Sequence, residues 1–166
     1  MPSTYVPIQN WTLASSQASF TLTDISQSYS DLVLVISGSQ TTGEGAFLIR
    51  VGNGSIDSGS NYTYGYMYST GSSVGQDRVP NTTSGSAGRA DTTNGAAIIH
   101  INNYSSTSGF KTILNHAGNG TPSLVQLSVS TWKSTSAINQ IRLTPEVGGA
   151  SLSSGFKLTL YGILRA

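Results

Sequence analysis

An apolar side chain at every second position recurs along this chain in short bursts, and that period admits little besides a β-sheet. Phe20 and Leu22 alternate with Thr21 and Thr23, and Phe47, Ile49 and Val51 with Leu48 and Arg50. Val125, Leu127 and Val129 alternate with Gln126, Ser128 and Ser130, and Phe156, Leu158 and Leu160 with Lys157, Thr159 and Tyr161. Each run reads as a strand that turns its apolar set to a core and the other set to solvent. Leu32 to Ile36 is apolar on both faces and reads as a central strand. These signals place strands at 19–25, 31–37, 46–52, 62–68, 96–102, 110–116, 124–132, 137–144 and 155–164. Turn chemistry separates them at Ser37-Gly38, Gly52-Asn53-Gly54, Asn102-Asn103, Gly118-Asn119-Gly120 and Gly148-Gly149. No stretch carries a capped 3.6-residue apolar period. The expected fold is all-β, an antiparallel jelly-roll-like β-sandwich of eight or nine strands.

Composition narrows the function classes. The 166 residues make one domain, large enough to bury a core without staples. There is no cysteine, which excludes disulfides and thiolate metal sites. Charged residues are 9% of the chain and balance to +1, so no bulk attraction to nucleic acid or anionic membrane is expected. Ser, Thr, Gly and Asn take the place of the missing charge, yet 37% hydrophobic content in β-branched runs argues against disorder. Met1-Pro2-Ser3-Thr4 has no basic or apolar leader character, and Leu32 to Ile36 is too short to span a bilayer. Folding in a cytoplasm is the expectation.

Two segments break the strand rhythm. Residues 1–18 read as an N-terminal arm ahead of a single domain over 19–166. Tyr5, Val6, Ile8 and Trp11 are its apolar anchors, placed to pack on their own domain or to reach a partner. Residues 69–95 read as a long loop, nearly free of large apolar side chains and carrying Asp77, Arg78, Arg89 and Asp91. Loops of that length are functional or mobile; Arg78 and Arg89 are candidate partner contacts.

Catalytic signatures are missing. His100 and His116 belong to no spaced ligand set, so neither a metal site nor a cofactor is expected. No Gly-x-Ser-x-Gly elbow lies between a strand and a helix, and no glycine-rich phosphate cradle occurs. Nothing pairs the seven carboxylates as a glycosidase requires. Asp57-Ser58-Gly59-Ser60-Asn61 resembles the start of a calcium loop, but Tyr68 stands at its twelfth position, so turn chemistry explains it better. The chain is expected not to be an enzyme.

Tyr62, Tyr64, Tyr66 and Tyr68 recur at spacing two and project from one face of a strand. Such a row either packs against the opposite sheet or offers a stacking surface to a subunit or ligand.

A family resemblance rests on structural stretches in order. They are Phe20-Thr21-Leu22-Thr23-Asp24-Ile25, Tyr29-Ser30-Asp31-Leu32-Val33-Leu34, Gly59-Ser60-Asn61-Tyr62, Ile101-Asn102-Asn103-Tyr104, Phe110-Lys111-Thr112-Ile113-Leu114, Trp132-Lys133-Ser134-Thr135-Ser136-Ala137-Ile138 and Phe156-Lys157-Leu158-Thr159-Leu160-Tyr161-Gly162-Ile163. Over residues 19–164 this order resembles a β-sandwich domain of tailed bacteriophages, cyanophages among them, found in head-decoration (cement) and tail-fibre proteins. The resemblance transfers no functional residue. It implies a virion protein assembled in the host cytoplasm: a decoration protein that binds the major capsid protein on the outer capsid surface as a homotrimer. The alternative it implies is a tail-fibre module that recognises host-surface carbohydrate.

Overall fold

The computed structural model describes residues 4–120 and 123–164, which form thirteen strands and no helix. Eight strands make one antiparallel sheet. Their order is β1 (Tyr5–Thr12), β13 (Lys157–Ile163), β3 (Asp31–Gly38), β9 (Gly95–Asn102), β10 (Lys111–Gly120), β11 (Ser123–Trp132), β6 (Tyr62–Ser69) and β7 (Val74–Thr82). A second sheet has the order β2 (Phe20–Leu22), β12 (Gln140–Pro145), β4 (Gly45–Asn53) and β5 (Ser55–Ile56), with β8 (Gly85–Ala90) also paired to β4. The chain is an all-β sandwich.

The core follows the period-two pattern over most of its extent. Leu34, Ile36, Ile99, Ile101, Leu158 and Leu160 of the large sheet face Phe47, Ile49, Val51, Ile141 and Leu143 of the small one, all buried. Phe47 meets Phe156 edge to face, with ring centroids 5.1 Å apart. Each such side chain contributes about 1.5–3 kcal/mol by leaving water. Tyr104, Trp132 and Ile138 close one end of the sandwich and are likewise buried.

Three expectations are corrected. The expected arm is strand β1, residue for residue opposite β13 from Tyr5↔Ile163 to Thr12↔Lys157, with a bulge between Pro7 and Gln9. Ile8 and Trp11 pack against the core, and Trp11 stands edge to face with Phe20 at 5.5 Å. Their apolar side chains thus gain burial on their own domain; residues 1–3 lie outside the described residues.

The expected loop at 69–95 holds β7 and β8. Strand β7 is an edge, so one ladder of hydrogen bonds to β6 defines it with little burial. Apart from Arg89, strand β8 is built of small residues because its backbone lies against the inner face of the large sheet. A Cβ on Gly88, whose φ is +110°, would come within 2.7 Å of the Ala117 methyl and 3.0 Å of that of Ala97. No room exists there for the large alternating side chains that announce a strand.

The third correction concerns β11. Its apolar set points out: Val125, Leu127 and Val129 are 63%, 49% and 49% exposed, while Gln126, Ser128 and Ser130 are buried. The cause is β8. Ser86 of β8 donates its backbone N–H to Ser130 Oγ at 3.0 Å, and Gln126 Nε2 donates to Ser86 Oγ at 3.2 Å. Asn115 Nδ2 of β10 donates to the Ser86 carbonyl at 2.8 Å and also to Ser128 Oγ. A polar seam therefore joins the sheets at this end: the Asn115 and Gln126 amide nitrogens find partners there, while Asn115 Oδ1 and Gln126 Oε1 stay buried without one.

Candidate interaction surfaces

Strand register fixes what the inverted alternation builds on the outer face of the large sheet. Val35 pairs with Ile98, Ile98 with His116, His116 with Leu127, and Leu127 with Met67. One row thus crosses five strands. His100, Leu114, Val129 and Gly65 form the next row, ending at Arg78. On the other side Val125 aligns with Ser69 and Val74. Met67 is 57% exposed and Ile98 44%. Two adjoining hollows of about 750 and 810 Å³ lie over β10, β11, β6 and β7 and share Met67, Gln76, His116 and Leu127. The His100 and His116 rings are 6.4 Å apart on this face. No carboxylate side chain projects from these rows.

The tyrosines lie on the opposite, inner face of β6, and the structure divides them. Tyr62 is wholly buried. Its hydroxyl donates to the Val51 carbonyl at 3.0 Å and accepts the Val51 N–H at 2.9 Å, tying the two sheets together. Burial drives its pKa far above the usual phenol range, and the Asp57 charge adds to that. Tyr62 is a core residue, which removes it from the candidate partner contacts.

Tyr64, Tyr66 and Tyr68 extend past the cover of the second sheet and are half-buried. Their rings form a ladder with centroids 6.1 and 6.2 Å apart and planes within 32° of each other. The Tyr68 ring lies on Gly75 of β7, where a Cβ would come within 2.7 Å of it. Burial raises the Tyr64 hydroxyl pKa first and the Glu146 charge next; for Tyr66 the order is burial, then Asp77. Arg89 opposes these charges at Tyr66 and pairs with Glu44 at 2.8 Å. Aromatic rings beside carboxylates and a guanidinium can stack on and hydrogen-bond to a polar ligand.

The other sequence candidates scatter. Tyr5 is exposed at the β1 edge, edge to face with Tyr161 at 6.3 Å. Arg78 borders the outer face, and Arg89 stands on the tyrosine side. Asp57 makes a turn: it accepts the Gly59 N–H at 2.8 Å, Asn61 Nδ2 at 2.9 Å and Trp132 Nε1 at 2.7 Å. Among the described residues no group of three His, Cys, Asp or Glu side chains could hold a metal. The residues that sequence reasoning missed are the outer-face ones, Met67, Ile98, His116, Val125, Leu127 and Val129. Their signal was the serine and glutamine set on β11, which meets Ser86 of β8.

No family model matches the chain. No curated protein matches it either. Among solved structures, a mutant of the alginate lyase Aly36B in complex with alginate tetrasaccharide is similar at 12% identity and a TM-score of 0.35, covering 98% of this chain and 99% of that one. A Shewanella oneidensis MR-1 protein of unknown function, SO2946, is similar at 10% identity and a TM-score of 0.34, covering 98% and 77%.

Proposed function

We propose that this protein is a non-enzymatic structural component of a tailed-phage virion: a decoration protein that binds the outer capsid surface as a trimer. The observation that carries the assembly reading is the uncovered apolar outer face of the large sheet. Seven aliphatic or thioether side chains there are between 36% and 83% exposed. A contiguous apolar patch of this kind marks a surface that is covered in the working state. The phage assignment is supported by the ordered stretches over residues 19–164. The protein adds buried contacts between neighbouring capsid subunits, and its repeated copies hold the shell by multivalency. The major capsid protein is its partner; it takes no cofactor and binds neither nucleic acid nor membrane.

Cryo-electron microscopy of purified particles tests this. Density for the sandwich at regular positions across the capsid is the expected result. Density confined to the tail overturns the decoration reading. It would favour the second reading, recognition of host-surface carbohydrate, which the half-exposed Tyr64, Tyr66 and Tyr68 ladder beside Asp77 and Arg89 supports. In that case Tyr66→Ala should weaken polysaccharide binding by the isolated protein about tenfold, as expected for the loss of roughly 1.4 kcal/mol at an aromatic contact.

A further inference from the structure

We propose that copies of this chain cover one another's outer face of the large sheet, with Ile98, His116, Leu127, Met67, Val125 and Val129 turned inward among the protomers of the proposed trimer. The inference rests on reading that face as an assembly surface, and it names the occupant. Three observations point to self-association rather than to a foreign partner.

The first is area. The exposed fractions of the seven apolar side chains leave about 600 Å² of their surface in water, against roughly 800 Å² that one partner contributes to a standard stable interface. Adding His116, Leu114 and the rim residue Gln76 brings the face to that size. It thus approaches the size of a specific, stable interface, and homo-oligomeric contacts are the more apolar class.

The second is charge. The rows contain no carboxylate, and their lone guanidinium, Arg78, sits at the end of a row on the edge strand β7. A partner chosen by charge would find nothing to pair with in the centre. A neutral apolar face is complementary to another neutral apolar face, and a copy of the chain supplies one. Arg78 stays at the solvated rim.

The third is where the alternation inverts. Gln126, Ser128 and Ser130 are committed to the seam with β8 and Asn115. An unassembled protein would be served as well by polar residues at 125, 127 and 129. Placing aliphatic side chains there, on the strand flanked by the two hollows, gives β11 an apolar surface on the side that the domain itself never covers.

The test uses the full chain. Wild-type protein should sediment as a closed oligomer at tens of micromolar, and Leu127→Asp should sediment as a monomer with an unchanged β-sheet circular dichroism spectrum. Because the chain has no cysteine, Val125→Cys offers a second readout. It should form a disulfide-linked dimer on mild oxidation, and Thr42→Cys, exposed between β3 and β4, should not. Monomeric wild-type protein overturns the inference, as does a Leu127→Asp variant that still assembles or equal cross-linking of the two cysteine variants. If Leu127→Asp fails to fold, the cysteine pair decides. Capsid binding by a monomer would refute this inference and leave the decoration reading standing. Oligomers that ignore capsids would do the reverse.

Discussion

Asp57 shows how a residue that looks like a metal ligand can be a structural one. Burial raises its pKa, but donation from Trp132, Asn61 and the Gly59 N–H outweighs that and holds the carboxyl below the ordinary carboxylate range. Trp132 is buried, so its Nε1–H needs this acceptor. Asp57→Ala leaves the indole N–H without it and should cost about 1–3 kcal/mol, read by urea unfolding at neutral pH. The pH dependence has a definite sign. A depressed folded pKa means that the contribution is complete above the unfolded pKa, about 3.9. It is lost as pH falls through the folded value. The gap between wild-type and Asp57→Ala stability should therefore narrow on acidification below that pH, and a gap that widens there would contradict this account. Tyr62 teaches the same lesson on the aromatic side. Spacing alone put it with Tyr64, Tyr66 and Tyr68, yet its hydroxyl is spent on the two Val51 backbone groups.

At the scale of elements, β1 carries the sharpest prediction. Removing residues 1–12 exposes the open edge of β13 and strips Ile8 and Trp11 from the core. The truncated protein should lose at least about 3 kcal/mol of unfolding free energy, measured by urea titration. A free arm would leave stability unchanged.

The elements legible in the sequence were those whose large alternating side chains meet the opposite sheet, such as β4 and β13. Those that stayed hidden do not use that signal. Strand β7 is defined by backbone pairing at an edge, and β8 by small residues that let two backbones approach. The period of β11 was read correctly, but its facing was not. A period of two says that two faces exist; only the polarity of the opposing element says which is inside. The same limit governed the candidate surfaces. The tyrosine parity was legible, whereas the outer apolar face was hidden by its own regularity.

For the whole molecule, assembly and stability are linked. If protomers associate through the outer face, folded protein is drawn off by mass action, and the midpoint of thermal unfolding should rise with protein concentration. Differential scanning calorimetry over a hundredfold concentration range checks this. A midpoint independent of concentration would mean that the fold stands without its neighbours. Leu127→Asp should abolish the dependence while leaving the dilute-limit midpoint within a few degrees of wild type, since an exposed substitution changes intrinsic stability by about 0.5 kcal/mol or less.

The two outer strands of the large sheet share a feature with a wider consequence. Strand β1 carries Pro7 beside its bulge, and β7 carries Pro80 where its register against β6 shifts between Tyr62 and Tyr64. A proline has no N–H to offer a newcomer, and a bulge twists the border away from flat pairing. Both borders are thus closed to end-on extension, so sheets of successive copies cannot fuse into a ribbon. If copies associate through the broad face as proposed, symmetric packing there closes after a fixed number of copies. On that reading, a high concentration of the chain would yield countable closed assemblies rather than fibres.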